Sequence, residues 1–207
     1  MSYPILGASS LAFDIAKKFG HTITKLEPAL VGFTVQKDQF WFKNLSGISM
    51  PVFTFVDEKS FEGSLLFAHK GCSGPVILTT SLYWKKGKIA IDFLPKQKIE
   101  TFFQGNKIIS SALPLPKRFI QEFLTSVELE DKNISKLTDE EKSKLKLLKY
   151  YEFPPAGNFG YTKAEVTKGG ISTQEINHDS FESLKQKDLY FLGECLDITG
   201  ELGGFNF

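Results

Sequence analysis

Residue types that usually mark a binding or catalytic site are scarce in this 207-residue sequence. Arg118 is the single arginine, so bidentate recognition of phosphate or carboxylate must come from that residue, from backbone amides or from other sequence. Two cysteines, Cys72 and Cys195, cannot form a disulfide framework, and they share no ligand spacing with the three scattered histidines. The sequence therefore argues against a disulfide-stapled secreted domain and a structural zinc site.

Excess charge and long apolar runs are also missing. The 25 basic and 24 acidic residues leave a net charge of +1, which favours neither nucleic acid nor an anionic membrane as a partner. No window approaches the roughly 20 apolar residues needed to span a bilayer. Residues 1–20 lack the basic start of a secretory signal. We therefore expect a cytoplasmic protein without a membrane partner.

What the sequence does contain is a change of periodicity along the chain. Residues 8–19 carry a helical apolar stripe, with Ser9 or Ser10 as N-cap and Gly20 as the stop. Residues 21–94 contain short β-branched or aromatic runs, which predict antiparallel strands in a small barrel or sandwich. Within them, residues 74–86 start with Pro75 at a helix N1 position and predict a short helix.

The next region is helical, and strands then resume. Residues 95–150 have helical periodicity, and Thr138 with Glu141 forms a capping-box pattern. Lysines are frequent at 136–149, but acids alternate with them, so a solvated helix face is favoured over a nucleic-acid surface. Residues 188–193 read as a buried strand of a parallel sheet. The predicted fold class is α+β, a small antiparallel β-barrel with a helical insert.

Two glycine-rich stretches, 164–176 and 189–206, contain the residues best suited to bind a ligand. Their glycine pairs, 169–170 and 203–204, can adopt positive φ and let a ligand approach the backbone. The acids at 194 and 197 offer carboxylates to sugar-like hydroxyls, and the amides of the last turn suit electron-rich oxygens. This combination suits a flavin. The alternative is that the acids cap turns and the glycines only fold loops, and the residues alone leave both open.

The order of short motifs adds a resemblance that covers essentially the whole chain. The motifs are Ser2-Tyr3-Pro4, Gly20-His21-Thr22-Ile23, Pro28-Ala29-Leu30-Val31, His69-Lys70-Gly71-Cys72-Ser73-Gly74-Pro75, Val166-Thr167-Lys168-Gly169-Gly170-Ile171, Gly193-Glu194-Cys195-Leu196-Asp197 and Gly203-Gly204-Phe205-Asn206. In this order they resemble bacterial FAD-dependent, NAD(P)-linked oxidoreductases of the aminoacetone-oxidase or BaiN-like type. Each motif alone is weak, so the specificity lies in their number and order.

The resemblance implies a domain organisation. Such flavoproteins have a Rossmann-type FAD domain interrupted by a β-barrel and a helical domain. It implies FAD-domain remnants at 1–25 and 181–207, barrel segments at 26–94 and 151–180, and a helical insert at 95–150. The family's dinucleotide fingerprint is absent from the sequence. We therefore expect the chain to be the central portion of a longer protein whose N- and C-terminal parts are its partners, and to be inactive alone.

The resemblance also implies the site. The cofactor is FAD, and the flavin-side candidates are Thr167, Gly169, Gly170, Gly193, Glu194, Asp197, Gly203, Gly204 and Asn206. Glu194 or Asp197 is expected at the ribityl hydroxyls. His69 is the candidate proton-handling residue, with packing at a domain interface as the alternative. The remaining histidines, His21 and His178, are expected to be structural or exposed, and no metal ligands are predicted.

Some positions depart from the family pattern. Residues 8–12 replace a Ser-Thr-Gly-Asp-Gly loop and lose its acid, Ala68 replaces a threonine, and Phe205 replaces a tyrosine. The function predicted for the parent protein is flavin-mediated hydride or electron transfer to a small-molecule substrate, with NAD(P)H as a possible donor. Two alternatives stay open: a stand-alone binding module for nucleic acid or protein, and a folded fragment without activity of its own.

Overall fold

The chain folds into two units, described by a computed structural model of residues 1–2 and 4–206. The sheet unit is Phe33–Gly157, and the terminal unit combines Met1–Gly32 with Asn158–Phe207. Tyr3 of the first motif and Phe207 after the last motif lie outside the described residues.

Six α-helices and nine strands form within the described residues. The helices are α1 Leu11–Lys18, α2 Trp41–Asn44, α3 Pro75–Tyr83, α4 Ile109–Ala112, α5 Lys117–Ser126 and α6 Asp139–Lys146. The strands are β1 Glu27–Ala29, β2 Phe33–Val35, β3 Ser49–Val56, β4 Lys59–Ala68, β5 Gly71–Ser73, β6 Ile89–Asp92, β7 Tyr151–Phe153, β8 Pro155–Asn158 and β9 Val166–Lys168. None of these helices combines the length and the apolar character that crossing a bilayer requires. The fold is a mixed α and β one.

A seven-stranded sheet organises the sheet unit, in the order β7-β6-β3-β4-β5-β2-β8. Its longest pairing is the antiparallel β3–β4 hairpin, which runs from Ser49 opposite Leu66 to Val56 opposite Lys59. Strands β6 and β7 also pair antiparallel, with Ile89 opposite Phe153. Because α4, α5 and α6 all lie between these two paired strands in the chain, the helical segment is an insertion into the sheet.

Helix α3 begins where the sequence predicts, with Pro75 at its first position. Gly74 precedes it at φ +92°, and a Cβ there would lie 2.7 Å from the backbone nitrogen of Leu66. Only glycine fits this left-handed position, so the helix packs closely against β4. On the same helix the buried hydroxyls of Thr80 and Thr54 lie 2.7 Å apart, which ties α3 to β3.

Helix α6 confirms the predicted capping box. The Thr138 hydroxyl accepts from the Glu141 amide at 3.2 Å, and the Glu141 carboxylate accepts from the Thr138 amide at 2.9 Å. Helix α1 begins after Ser10 as predicted, but the Ser10 hydroxyl donates to the Asp14 carboxylate at 2.8 Å instead of capping the backbone. A local pattern therefore predicted both helix starts but only one of the two hydrogen-bond arrangements.

Phenylalanines fill the core of the sheet unit. The fully buried members are Phe33, Phe42, Phe67, Phe93, Phe119, Phe123 and Phe153. Their rings meet in edge-to-face and offset contacts, such as Phe93 with Phe119 at 4.8 Å between centroids. The Trp41 indole reaches this cluster and donates to the Tyr151 hydroxyl at 3.0 Å. The abundance of phenylalanine therefore produces thick apolar packing.

Two sequence predictions in the sheet unit are wrong. Residues 41–44 were expected in a strand run because aromatic residues favour strands, but they form α2. The helical turn buries Trp41 and Phe42 together in the phenylalanine core, so tertiary packing overrides local propensity. The predicted helical region begins at residue 95, but residues 95–105 form only a 3₁₀ turn, Ile99–Phe102.

The predicted parallel strand at 188–193 is also wrong. Tyr190 makes only an isolated antiparallel bridge to Glu182, and no strand forms over these residues. Tyr190 and Leu192 are more than half exposed, whereas Phe191 enters the small core of the terminal unit. Alternation of inward and outward side chains is present, but no neighbouring strand lies there to pair with the backbone.

Candidate functional site

Thr167 is the centre of the candidate site in the terminal unit. It lies in β9, opposite Pro28 of β1, and is 1% exposed. Its hydroxyl accepts from the Ser2 amide at 3.0 Å and lies 3.0 Å from the Ser2 hydroxyl. Its amide donates to a Glu194 carboxylate oxygen at 2.6 Å. One buried threonine therefore joins three segments that are distant in sequence, each of which carries a motif singled out above.

Gly169 and Gly170 are required by backbone packing. Gly169 has φ +84°, and a Cβ there would lie 2.1 Å from the Lys25 carbonyl oxygen. A Cβ at Gly170 would lie 2.5 Å from the Cys195 carbonyl oxygen. The Gly170 amide also donates to the Thr24 hydroxyl at 2.9 Å. The glycines therefore let protein backbone approach closely, which is the loop-folding alternative that the sequence left open.

The 193–197 segment is held by hydrogen bonds to Ile171. The Ile171 amide donates to the Cys195 carbonyl at 2.8 Å, and the Asp197 amide donates to the Ile171 carbonyl at 2.9 Å. Gly193, at φ +74°, starts a 3₁₀ turn and has open space where a Cβ would be. The Asp197 side chain is exposed, and the Glu194 side chain is half-buried. The turn therefore displays both acids on a segment fixed to β9.

Asn206 closes the final turn. Its side-chain oxygen accepts from the Gly200 amide at 2.7 Å, and its amide nitrogen donates to the Gly200 carbonyl at 3.0 Å. Gly203 and Gly204 have φ values of +128° and +92°, and open space surrounds the Cβ position of Gly204. The Asn206 amide is thus used to shape the loop, while the glycine backbone lies at its surface.

The three histidines have different environments. His69 is exposed in the turn between β4 and β5 of the sheet unit, so it belongs to a different unit from the flavin-side candidates. His178 is exposed beside the Thr173 carbonyl, with Nε2 3.2 Å from the oxygen. His21 is buried in the terminal unit, where Nε2 lies 2.7 Å from the Ser183 hydroxyl. His21 and His178 therefore have the structural and exposed roles that the sequence predicts.

A polar network around His21 was not found by sequence reasoning. The Glu175 carboxylate lies 3.2 Å from His21 Nδ1 and pairs with Lys185 Nζ at 2.6 Å. The hydrogen bond from Lys185, followed by the one from the Thr22 amide, lowers the pKa of Glu175 to about 2. His21 and Thr22 lie more than 150 positions from Glu175 and Lys185 in the chain, so no local pattern indicates the network. The network ties residues 21–22, which follow α1, to the 175–185 loop and places the Glu175–Lys185 ion pair beside His21.

Neither cysteine has the environment of a reactive thiol. Cys72 is fully buried in β5, and this burial raises the pKa of its thiol to about 12. Partial burial also raises the pKa of Cys195, whose sulfur lies 3.1 Å from the Leu192 carbonyl. A raised pKa keeps the thiol protonated and weakly nucleophilic. Among residues 1–2 and 4–206, no group of His, Cys, Asp and Glu side chains is arranged to hold a metal ion.

The terminal unit also contains an apolar cavity of about 270 Å³ that the sequence did not indicate. Its lining residues are Thr173, Ile176, His178, Phe181, Leu196 and Ile198. Two of them, Leu196 and Ile198, flank Asp197 in the chain. The exposed Asp197 carboxylate therefore lies on the same short segment that forms part of the cavity wall.

Comparison with known proteins places the chain in a family. Residues 27–166 match the family described as the HI0933-like protein barrel and H2TH domain. The chain therefore belongs to the HI0933-like family. The match spans the sheet unit with its helical insertion and extends into the terminal unit on both sides.

Three curated relatives match nearly the whole chain. This chain is 37% identical over 220 residues to the ribosomal RNA dihydrouridine synthase of Haemophilus influenzae, and the alignment covers 100% of this chain and 54% of that protein. It is 35% identical over 219 residues to the Escherichia coli protein of the same name, with 100% and 55% covered. It is 27% identical over 230 residues to the 3-dehydro-bile acid delta(4,6)-reductase of Clostridium scindens, with 97% and 55% covered. The chain thus spans about half the length of these relatives.

Proposed function

We propose that this chain is the barrel-bearing part of a flavin-dependent reductase whose substrate is a uridine of ribosomal RNA. The observation that carries the proposal is the whole-chain identity of 37% and 35% to two ribosomal RNA dihydrouridine synthases. The identity to the bile acid reductase is lower, at 27%. The RNA base is therefore preferred over a steroid ring as the substrate.

The names of the relatives share one kind of chemistry. Dihydrouridine differs from uridine by two hydrogens on a ring carbon–carbon double bond that is conjugated to a carbonyl. A delta(4,6)-reductase acting on a 3-oxo steroid removes the same kind of conjugated double bond. Both reactions add a hydride to one carbon and a proton to its neighbour. A reduced flavin supplies the hydride in such reactions, and the protein supplies binding, orientation and the proton.

The terminal unit offers groups that fit the sugar-like and electron-rich parts of a flavin. The exposed Asp197 carboxylate and the half-buried Glu194 carboxylate can accept from ribityl hydroxyls. The backbone at Gly204 lies beside open space and can approach a planar ring. We assign the flavin to FAD by the resemblance of the motifs, with the rest of the cofactor held by sequence outside this chain.

Other candidates have an indirect role in this proposal. Thr167 bonds to Glu194, and Gly169 and Gly170 pack against protein backbone, so these three residues position the segment that carries Glu194 and Asp197. Asn206 shapes the loop that presents the two glycines. They are positioning residues. His69 is the candidate proton donor because its exposed imidazole makes no contact with other described residues that would use its nitrogens.

An RNA substrate differs from the sequence-based expectation that nucleic acid is not a partner. The nearly balanced net charge argued against an RNA partner, but net charge does not report how charge is distributed over the surface. An RNA substrate needs a local basic surface, and four lysines line one groove of the sheet unit.

The product of the complete gene tests the substrate. Incubated with NADH or NADPH and ribosomal RNA transcribed in vitro, it is expected to convert a uridine to dihydrouridine, which nucleoside mass spectrometry detects as a gain of two hydrogens. A 3-oxo-4,6-diene bile acid serves as the competing substrate. Reduction of the bile acid but not of the RNA would reject the RNA assignment, and reduction of neither would reject the reductase.

A further inference from the structure

A lysine-lined groove lies on the sheet unit. It encloses about 470 Å³, and its walls are the 96–100 segment and the end of α6 with the turn that follows. Four lysines and one glutamate carry charge along it: Lys96, Lys98, Lys146, Lys149 and Glu100. A single excess sign in a concave surface concentrates the field and attracts ligands of the opposite charge. The groove therefore favours an anion.

One lysine of the groove is fixed by a nearly buried partner, and two are in exposed ion pairs, one of them Lys96 with the Glu62 carboxylate at 2.6 Å. Lys149 Nζ lies 2.6 Å from the Asp92 carboxylate, itself nearly buried, and 2.6 Å from the Leu94 carbonyl. The Lys146–Glu100 distance is 3.9 Å, and both side chains are more than half exposed. Lys98 is exposed and forms no ion pair with the described residues. Exposed ion pairs contribute little free energy, so a polyanion can displace them.

Three other lysines of the helical segment are held by local contacts. Lys142 pairs with Asp139 on the same helix at 3.2 Å, and Lys144 donates to the Glu128 carbonyl at 3.2 Å. Lys132 pairs with Glu141 at 2.6 Å. These contacts are those of a solvated helix face, as the sequence predicts. Of the lysines of α6, Lys146 lines the groove.

An apolar slot adjoins the groove. It encloses about 210 Å³ and shares Gln97 with the groove. Four prolines, at 51, 95, 114 and 116, contribute to its walls. A single-stranded nucleotide presents a charged backbone on one side and a flat apolar base on the other. An acidic peptide offers the charge without the base, so the pair of surfaces fits RNA better.

We propose that this groove and slot form a docking surface for single-stranded RNA, with phosphates at Lys98 and Lys146 and a base in the proline-lined slot. The proposal rests on the RNA substrate proposed above and gives that substrate a second contact, away from the candidate flavin residues in the chain. Phosphate contacts of this kind position a substrate without reading its sequence. The surface therefore supplies affinity and register.

The product of the complete gene tests this surface without NAD(P)H. Binding of a fluorescein-labelled, single-stranded ribosomal RNA fragment is followed by anisotropy over a series of salt concentrations. The Lys98→Glu/Lys146→Glu variant is expected to bind RNA more weakly. Because two phosphate contacts are lost, the plot of log association constant against log salt concentration should become less steep, its negative slope decreasing in magnitude by about 1.4. The matched control is Lys85→Glu/Lys86→Glu, which makes the same change of net charge at two exposed lysines outside the groove.

Three results would overturn the assignment of the groove and slot as an RNA docking surface. They are an equal loss of binding in the control, no RNA binding by the wild type at low salt, and competition by polyglutamate as effective as competition by RNA. Lys98→Gln is a milder variant if the double variant does not fold, and it is expected to lower the slope by about 0.7. Uridine reduction is measured separately. RNA binding through the groove without uridine reduction would reject the reductase and keep the surface, and reduction that persists unchanged in the groove variant would reject only the surface.

Discussion

Replacing Gly169 by alanine is expected to unfold or loosen the terminal unit. The residue has φ +84°, and the new Cβ would lie 2.1 Å from the Lys25 carbonyl oxygen, a position that backbone atoms cannot share. Left-handed φ alone costs an alanine about 1 kcal/mol, and the collision requires β1 and the segment before it to move. We expect a total loss of at least about 3 kcal/mol. Chemical denaturation measures the loss of unfolding free energy, and hydrogen exchange of the β1 and β9 amides shows whether the loss is local to this strand pair.

Gly204→Ala is the matched control. Gly204 also has positive φ, at +92°, but open space surrounds its Cβ position. Its replacement is expected to cost only about 1 kcal/mol and to leave the β1–β9 amides protected. Equal effects of the two substitutions on stability would contradict the packing role assigned to Gly169. If the last turn approaches a flavin, Gly204→Ala lowers flavin affinity in the complete protein while the fold is retained.

Replacing Glu194 by alanine is expected to weaken flavin binding in the product of the complete gene. The carboxylate accepts from the Thr167 amide at 2.6 Å, and its second oxygen is proposed to accept from the ribityl chain. Loss of hydrogen bonds to a charged group costs about 1.5–3 kcal/mol, which corresponds to about 10- to 150-fold in affinity. Flavin release, measured by equilibrium dialysis and fluorescence of the free cofactor, gives the value.

Glu194→Gln separates the two functions of this side chain. Glutamine keeps an oxygen that can accept from the Thr167 amide, so stability should be near that of the wild type. It loses the charge, so flavin affinity should fall, but less than in the alanine variant. Asp197→Asn tests the second acid in the same way. Wild-type flavin affinity in all three variants would show that the acids only support the fold.

The helix starts were predictable because their signals are local. Pro75 at N1 and the Thr138–Glu141 box place every interacting group within one turn, so a single short pattern contains the information. Helix α2 was not predictable in this way. Its aromatic residues favour strands, and only the phenylalanine core, assembled from segments up to about a hundred residues away, makes the helical turn preferable.

The candidate site shows the same division. Its motifs were found in the sequence, but the reason for their glycines was not, because Gly170 meets Cys195 and Gly169 meets Lys25 only in the folded chain. The Glu175–Lys185 pair beside His21 and the lysine groove also depend on contacts between distant segments. No local pattern marked the groove because its lysines come from two separate segments, 96–98 and 146–149.

The visible absorption spectrum of the complete gene product shows whether it binds a flavin and passes electrons to RNA. We expect the purified protein to show the bands of a bound oxidised flavin, and these bands to be bleached by NADH or NADPH without oxygen and restored by addition of uridine-containing ribosomal RNA. Recovery by RNA, and not by RNA whose uridines are already reduced, would identify the electron acceptor. A colourless protein that remains colourless and gains no thermal stability after incubation with FAD would contradict the account.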